Sequence, residues 1–329
     1  MSGVSIRLQV PAPRTAFEKV VIVTRKTELE ELVARFNTVA QSRFYLEHAG
    51  RDFTPIEAAH ERFHGVLDGI RGLVPRSLKQ QVIERSFLPQ FTFGEADLVV
   101  TVGPDGLVVN VAKYLDGQPI LPVNPDPAHI DGVLLPFTAQ TFGQALSRAL
   151  RREQPIQPVS MAEARTQDGQ VLLGFNDLFI GARSHVSARY EIAQGKKRER
   201  QSSSGIIVST GAGSTGWLQS VYAGAAGVVK ALGGRVIPPP DGGRLPWDTE
   251  ALVFAVREPF PSKTTGTKLT FGTITRDTPL IITSHMAESG VVFSDGIEAD
   301  YLGFNAGTTV TIGLSERRAR IMVGNGQPT

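Results

Sequence analysis

The chain has 329 residues, 41% hydrophobic and 20% charged, an ordinary globular usage that can fill one large or two medium cores and argues against disorder. Its 34 basic and 32 acidic residues leave a formal charge of +2, too little to act as a bulk field for nucleic acid or an anionic membrane. With no cysteine, a disulfide framework, thiolate metal sites and a cysteine nucleophile are excluded, and the composition fits a cytoplasmic protein.

The first eleven residues hold no charged segment followed by an unbroken apolar one, and no later stretch reaches 18 consecutive apolar residues, so a soluble, untargeted protein is expected. Residues 19–24 read as a buried strand. Residues 28–40 follow with Leu29, Leu32, Val33 and Phe36 at helical spacing, a β-α opening. Residues 56–70 predict a second helix. Residues 96–102 predict a strand apolar on both faces, as in a parallel sheet covered on both sides. A short strand at 119–125 and an amphipathic helix at 138–152 complete an α/β half.

From about residue 155 the texture changes, and Gln154 to Pro158 reads as a linker between domains at 1–154 and 155–329. Strands are expected at 159–165, 170–181 and 184–193, with hairpin punctuation at Asp168-Gly169 and Gly181. The charge run at 195–200 reads as a solvated hairpin tip. Residues 214–232 alternate small and apolar side chains before Gly233-Gly234, a helix with a glycine stop. A Pro/Gly-rich loop at 238–246 precedes strands at 251–257, 279–284, 291–294 and 308–313.

Two glycine-rich stretches carry the chemistry: Val-Thr-Val-Gly103-Pro-Asp105-Gly106, and Val-Ser-Thr210-Gly-Ala-Gly213-Ser214-Thr215-Gly-Trp217. Each is a β-branched run ending in small residues whose bare amides can face a phosphate. Asp105 would repel the anion such a cradle attracts, so it is costly unless it does chemistry or holds a metal. On propensity alone, however, residues 99–111 make a good β-hairpin, with Pro104 presetting φ and Asp105-Gly106 closing the turn. The second stretch can equally be a strand-to-helix turn whose glycines serve packing.

A third pattern, His60-Glu61-Arg62-Phe63-His64, matches the His-Glu-x-x-His zinc signature on a helix. Leu67 and Ile70 stand where the extended metalloprotease motif needs Gly and His. No third ligand is apparent, Glu84 being a guess. A wheel gives Ile56, Ala59, Phe63, Leu67 and Ile70 one face, with Glu61 and His64 turning away from it, so no stoichiometric zinc is expected.

Taken in order, Gly103-x-Asp105-Gly106, Pro122-Val-Asn124-x-Asp126-Pro127, Gly174-Phe-Asn176-Asp177, Ser209-Thr210-Gly-x-Gly213-Ser214-Thr215 and Ser294-Asp295-Gly296 resemble the NAD kinase family. Phe179-Ile180-Gly181, Trp217 and Arg257-Glu258-Pro259 bring it nearest the mitochondrial-type branch. The resemblance implies a two-domain fold, with an N-terminal α/β domain and a β-rich, β-sandwich-like C-terminal domain whose last residues return to the first. It implies transfer of the ATP γ-phosphoryl group to the 2′-hydroxyl of the adenosine ribose of NAD, with Mg²⁺ carried on ATP and a homodimer or homotetramer. By resemblance Asp105 is the catalytic base. Gly103, Gly106, Asn124, Asn176, Asp177, Thr210, Gly213, Ser214, Thr215, Trp217 and Asp295 contact substrates. Pro104, Leu107, Asp177 and Ser204 depart from the family's usual residues. A pseudokinase that senses NAD or NADP and a diacylglycerol- or sphingosine-type lipid kinase remain as alternatives.

Overall fold

The computed structural model describes residues 17–324. The outermost residues of the two expected domains, 1–16 and 325–329, lie outside the described residues, as does the N-terminal segment read for targeting. In chain order the elements are β1 (Lys19–Thr24), α1 (Glu28–Phe36), α2 (Val39–His48), α3 (Thr54–Leu73), β2 (Lys79–Glu84), β3 (Asp97–Val102), α4 (Asp105–Ala112), β4 (Pro119–Asn124), β5 (Phe137–Thr138) and α5 (Ala139–Leu150). There follow β6 (Ile156–Thr166), β7 (Val171–Gly174), β8 (Asp177–Ala182), β9 (Ala188–Gln194), β10 (Lys197–Ser203), β11 (Ile206–Ser209) and α6 (Trp217–Ala231). The last are β12 (Leu252–Val256), β13 (Phe271–Ile274), β14 (Leu280–Ser284), β15 (Gly290–Ser294), β16 (Ile297–Gly303) and β17 (Thr309–Met322). No helix among the described residues is long and apolar enough to cross a membrane.

The first half is a parallel sheet in the order β2-β1-β3-β4, with β5 beside β4. β1, β3 and β4 are buried at nearly every position because both faces are covered, whereas the edge strand β2 is largely exposed. On β1, Val20 and Ile22 meet Ile70 of α3 and Phe142 of α5, while Val21 and Val23 meet Val108 and Val111 of α4. α1 starts on a capping box, with Thr27 and Glu30 each accepting the other's backbone amide. It stops earlier than its periodicity predicts, because Asn37 takes a left-handed conformation (φ 68°) and the chain restarts as α2.

The second half is a sandwich. A six-stranded sheet, β13-β12-β11-β8-β15-β16, packs on the antiparallel part of an 11-stranded sheet that also contains the parallel strands. Ile180, Val208, Phe254 and Val292 from one layer meet Tyr190, Ile192, Ile282 and Ile312 from the other. The fold class is thus an α/β region followed by a β-rich, sandwich-like region. β17 is much longer than the expected 308–313. It pairs with β14, then along β6, and finally in parallel with β4 at Arg320 and Ile321. One sheet therefore runs across residue 155.

Two other expectations need correction. The hairpin favoured by local propensity at 99–111 does not form: β3 leads through Gly103 and Pro104 into α4. Leu107 to Ala112 are all buried, so packing against the sheet outweighs the strand preference of three valines. The single strand at 170–181 is broken at Phe175 and Asn176. The charge run lies on β10, whose hairpin with β9 turns at Gly195-Lys196, and Lys197, Arg198 and Arg200 are exposed as a solvated tip requires.

Candidate active site

β1, β3 and β4 end side by side, and beyond their carboxyl ends lies a cavity of about 470 Å³ lined by Arg25, Lys26, Gly103, Pro104 and Asp126, with Arg51 and His60 also in its wall. This is where open α/β sheets take ligands. Pro104 is the N-cap of α4 (φ −73°), so the donor it lacks lies one residue before the helix. The first-turn amides of Asp105 and Gly106 have no intrahelical carbonyl to bond and mark the positive end of the helix dipole. Asp105 is half-buried, and its Oδ1 accepts from the Leu134 amide at 2.6 Å. Leu107 is buried in the core under α4.

The sequence-derived site residues divide into those that build the walls and those that face outward. Asn124 is buried; its Nδ2 donates to the Ile130 carbonyl at 2.9 Å and its Oδ1 accepts from the Asp126 amide at 3.0 Å, so it braces the turn after β4. Thr210 is fully buried and its hydroxyl donates to the Phe175 carbonyl at 2.6 Å while accepting from the Gly213 amide. Ser214 donates to the Gly211 carbonyl and accepts from Leu245. A Cβ on Gly213 would drive into the Asn176 carbonyl, and one on Gly211 into that of Pro246, so these glycines serve close backbone packing. Thr215 is exposed. Trp217 stacks on Phe179 (5.8 Å, 11°) and lies under the Arg257 guanidinium at 5.5 Å. These three and Phe293 line a second cavity of about 280 Å³.

Asp295 and Gly296 close the β15–β16 hairpin with positive φ at both (55° and 70°), as a two-residue primed turn requires. The Asp295 carboxylate is turned inward. It accepts from the amides of Phe175 (3.1 Å), Asn176 (2.6 Å) and Asp177 (3.3 Å) and pairs with Lys113 Nζ at 3.5 Å, which also donates to Ser294 Oγ at 2.7 Å. Its side chain therefore shapes the loop that presents Asn176 and Asp177. Neither of those two side chains has a hydrogen bond of its own among the described residues, which leaves them available to a ligand.

Burial first, and then the Asp295 charge, push the Asp177 carboxyl up to about 7, with Lys113 opposing. Burial also raises Asp295, against the pull of Lys113 and the three amides. Since Asp295 holds those partners and Asp177 none, the proton of the pair belongs to Asp177. A carboxyl raised in the native state binds its proton more tightly than in the unfolded chain. Stability therefore falls as pH rises from the ordinary value of 3.8 through about 7, and the full cost applies above that. Asp177→Asn should accordingly melt higher than wild type above pH 7, by up to about 4 kcal/mol of stability, with the gap closing below about pH 4. Thermal melts across that range check it; a gap that does not change with pH would remove the assignment.

The three chemistry-bearing stretches converge in one cluster. Leu107 and Val108 after the acid loop, Phe175 before the Asn-Asp pair and Ala212 of the second glycine loop all pack together with Trp247. Lys113, Arg25, Lys26, Arg51 and Phe293 were not among the residues singled out from sequence. Lys113 had a readable signal, a lone cation closing an apolar run from Leu107 to Ala112. The others lie on elements whose approach only the fold reveals.

No protein-family model and no curated protein matches the chain. Among solved structures, yeast NADH kinase complexed with NADH is similar over 96% of this chain and 89% of its own (TM-score 0.57, 14% identity). An NAD kinase from Archaeoglobus fulgidus in complex with ATP is similar over 93% of this chain and 94% of its own (TM-score 0.52, 18% identity). The chain has the two-region fold of these kinases.

Proposed function

We propose that the chain is an NAD kinase, which transfers the γ-phosphoryl group of ATP to the 2′-hydroxyl of the adenosine ribose of NAD to give NADP. The observation that carries this reading is the convergence of the acid loop, the Asn176-Asp177 pair and the second glycine loop on one cluster, in a fold shared with kinases solved with NADH and with ATP. In this reading the cationic cavity beyond β1 and β3 receives the donor phosphates, through Arg25, Lys26 and the amides at the start of α4. Asn176 and Asp177 hold the acceptor's adenosine and ribose, and Thr215 and Trp217 border it. Asp105 accepts the proton of the attacking hydroxyl. Glu28, Asp52 and Asp126 are the carboxylates of the cavity; they would hold a hydrated Mg²⁺ carried on ATP, which would supply neutralisation of phosphate charge.

Binding tests this first. Purified protein should rise in melting temperature with NAD, NADH, NADP or NADPH, the shift growing with the logarithm of ligand concentration above the dissociation constant. No shift with any of the four at millimolar levels would eliminate the kinase and the nucleotide-sensor readings together. Pro104 is the observation that favours a sensor without turnover, since it removes a donor beside the phosphate loop.

A further inference from the structure

The His-Glu-x-x-His pattern on α3 does have a third partner, on a different helix. Glu30, in the first turn of α1, brings a carboxylate oxygen and one ring nitrogen each of His60 and His64 to within 4.8 Å of one another. The two imidazoles, one turn apart, have ring centroids 4.4 Å apart, and His64 Nε2 lies 3.1 Å from Glu30 Oε1. Tetrahedral zinc bonds of about 2.0 to 2.2 Å hold neighbouring ligand atoms about 3.4 Å apart. The three groups are thus little more than an ångström from coordinating distance. His64 and Glu30 keep 42% and 36% of their side-chain surface exposed, so they can close that gap by rotamer adjustment.

The surroundings favour an ion as well. His60 Nδ1 lies 2.8 Å from Thr27 Oγ1, a hydroxyl able to accept the Nδ1–H of a ligating imidazole and so leave Nε2 for an ion. Thr27 also accepts the Glu30 amide, and its own amide donates to Glu30 Oε2 at 2.7 Å, so one residue orients two of the three ligands.

We propose that Glu30, His60 and His64 form a binding site for one divalent transition-metal ion of the zinc class, clamping the start of α1 to α3. Two imidazoles and a carboxylate suit zinc, cobalt or nickel rather than magnesium. The ion fixes the connection between β1 and α1, whose residues Arg25, Lys26 and Thr27 form one wall of the cavity beyond β1. None of the three ligands is assigned a phosphotransfer role, although His60 also stands in the wall of that cavity, and the proposal does not depend on that activity.

Full-length, tag-free protein stripped with a chelator and desalted should bind one Zn²⁺ per chain, saturably at micromolar levels, with a rise in melting temperature. Thr27→Ala should weaken binding about 10- to 100-fold, with Thr27→Ser restoring it, and His60→Ala, His64→Ala or Glu30→Gln should weaken it further. His48→Ala, on α2, should leave affinity unchanged. The wild-type Co²⁺ complex gives an independent reading, since the intense visible bands of a tetrahedral or five-coordinate nitrogen-oxygen site are expected. Zinc binding that survives His60→Ala/His64→Ala, binding without one-per-chain stoichiometry, or only the weak spectrum of hydrated octahedral Co²⁺ would overturn the proposal.

Discussion

Asp105→Asn should leave the protein folded and lower phosphotransfer to NAD by about 10²- to 10⁴-fold, the usual cost of losing a general base. The amide is nearly isosteric, and its oxygen can still accept from the Leu134 amide that now bonds Asp105, so the turn into α4 keeps its geometry. What it cannot do is take a proton from the ribose hydroxyl. The measurement is a coupled assay in which a dehydrogenase consumes NADP formed from NAD, ATP and Mg²⁺. Equal activity in the variant would strip Asp105 of its role. Pro104→Gly is the companion, because glycine is a tolerated N-cap and restores the missing N–H at the mouth of the loop. Activity level with or modestly above wild type would mean that the proline is tolerated. A silent wild type that gains turnover as Pro104→Gly would make the native chain a nucleotide sensor.

Lys113→Met should cost about 3 to 5 kcal/mol, the range found when one member of a buried ion pair is removed. Both side chains are almost fully enclosed, at 4% and 1% exposure, so Asp295 would keep its charge in the interior with only backbone amides to offset it. The damage should extend to binding, since the amides Asp295 organises belong to the segment presenting Asn176 and Asp177. The second variant, Lys113→Met/Asp295→Asn, should recover part of the stability, because it removes the stranded charge. Denaturant unfolding of the single and double variants measures this coupling. Additive losses would show that the pair is not an energetic unit.

β1, β3 and β4 were legible because burial on both faces writes apolar runs, and α5 announces itself by its stripe, whereas the exposed, polar edge strand β2 was not. The turn from β3 into α4 was not. Val108, Val109 and Val111 prefer strands in isolation, and only the sheet face they cover makes them helical. The β15–β16 turn was readable as a motif, but not the inward direction of its carboxylate, which depends on Lys113 arriving from far along the chain. Glu30 escaped notice as a partner of His60 and His64 for the same reason, since α1 and α3 are brought together by packing of Leu29, Ile56 and Phe53. Site residues such as Thr210 and Ser214 have the types a phosphate loop would use, yet their hydroxyls are spent on neighbouring carbonyls.

The length of β17 bears on how such a molecule could move. Because this strand is bonded to β14, β6 and β4 in turn, no flexible joint separates the two halves, and swinging them apart like jaws would break ladder hydrogen bonds along its whole run. Any closing motion must then be local, performed by segments outside the ladder, such as the stretch between α6 and β12, where Leu232 and Ile237 are more than four-fifths exposed and Leu245 is tethered to Ser214 of the glycine loop.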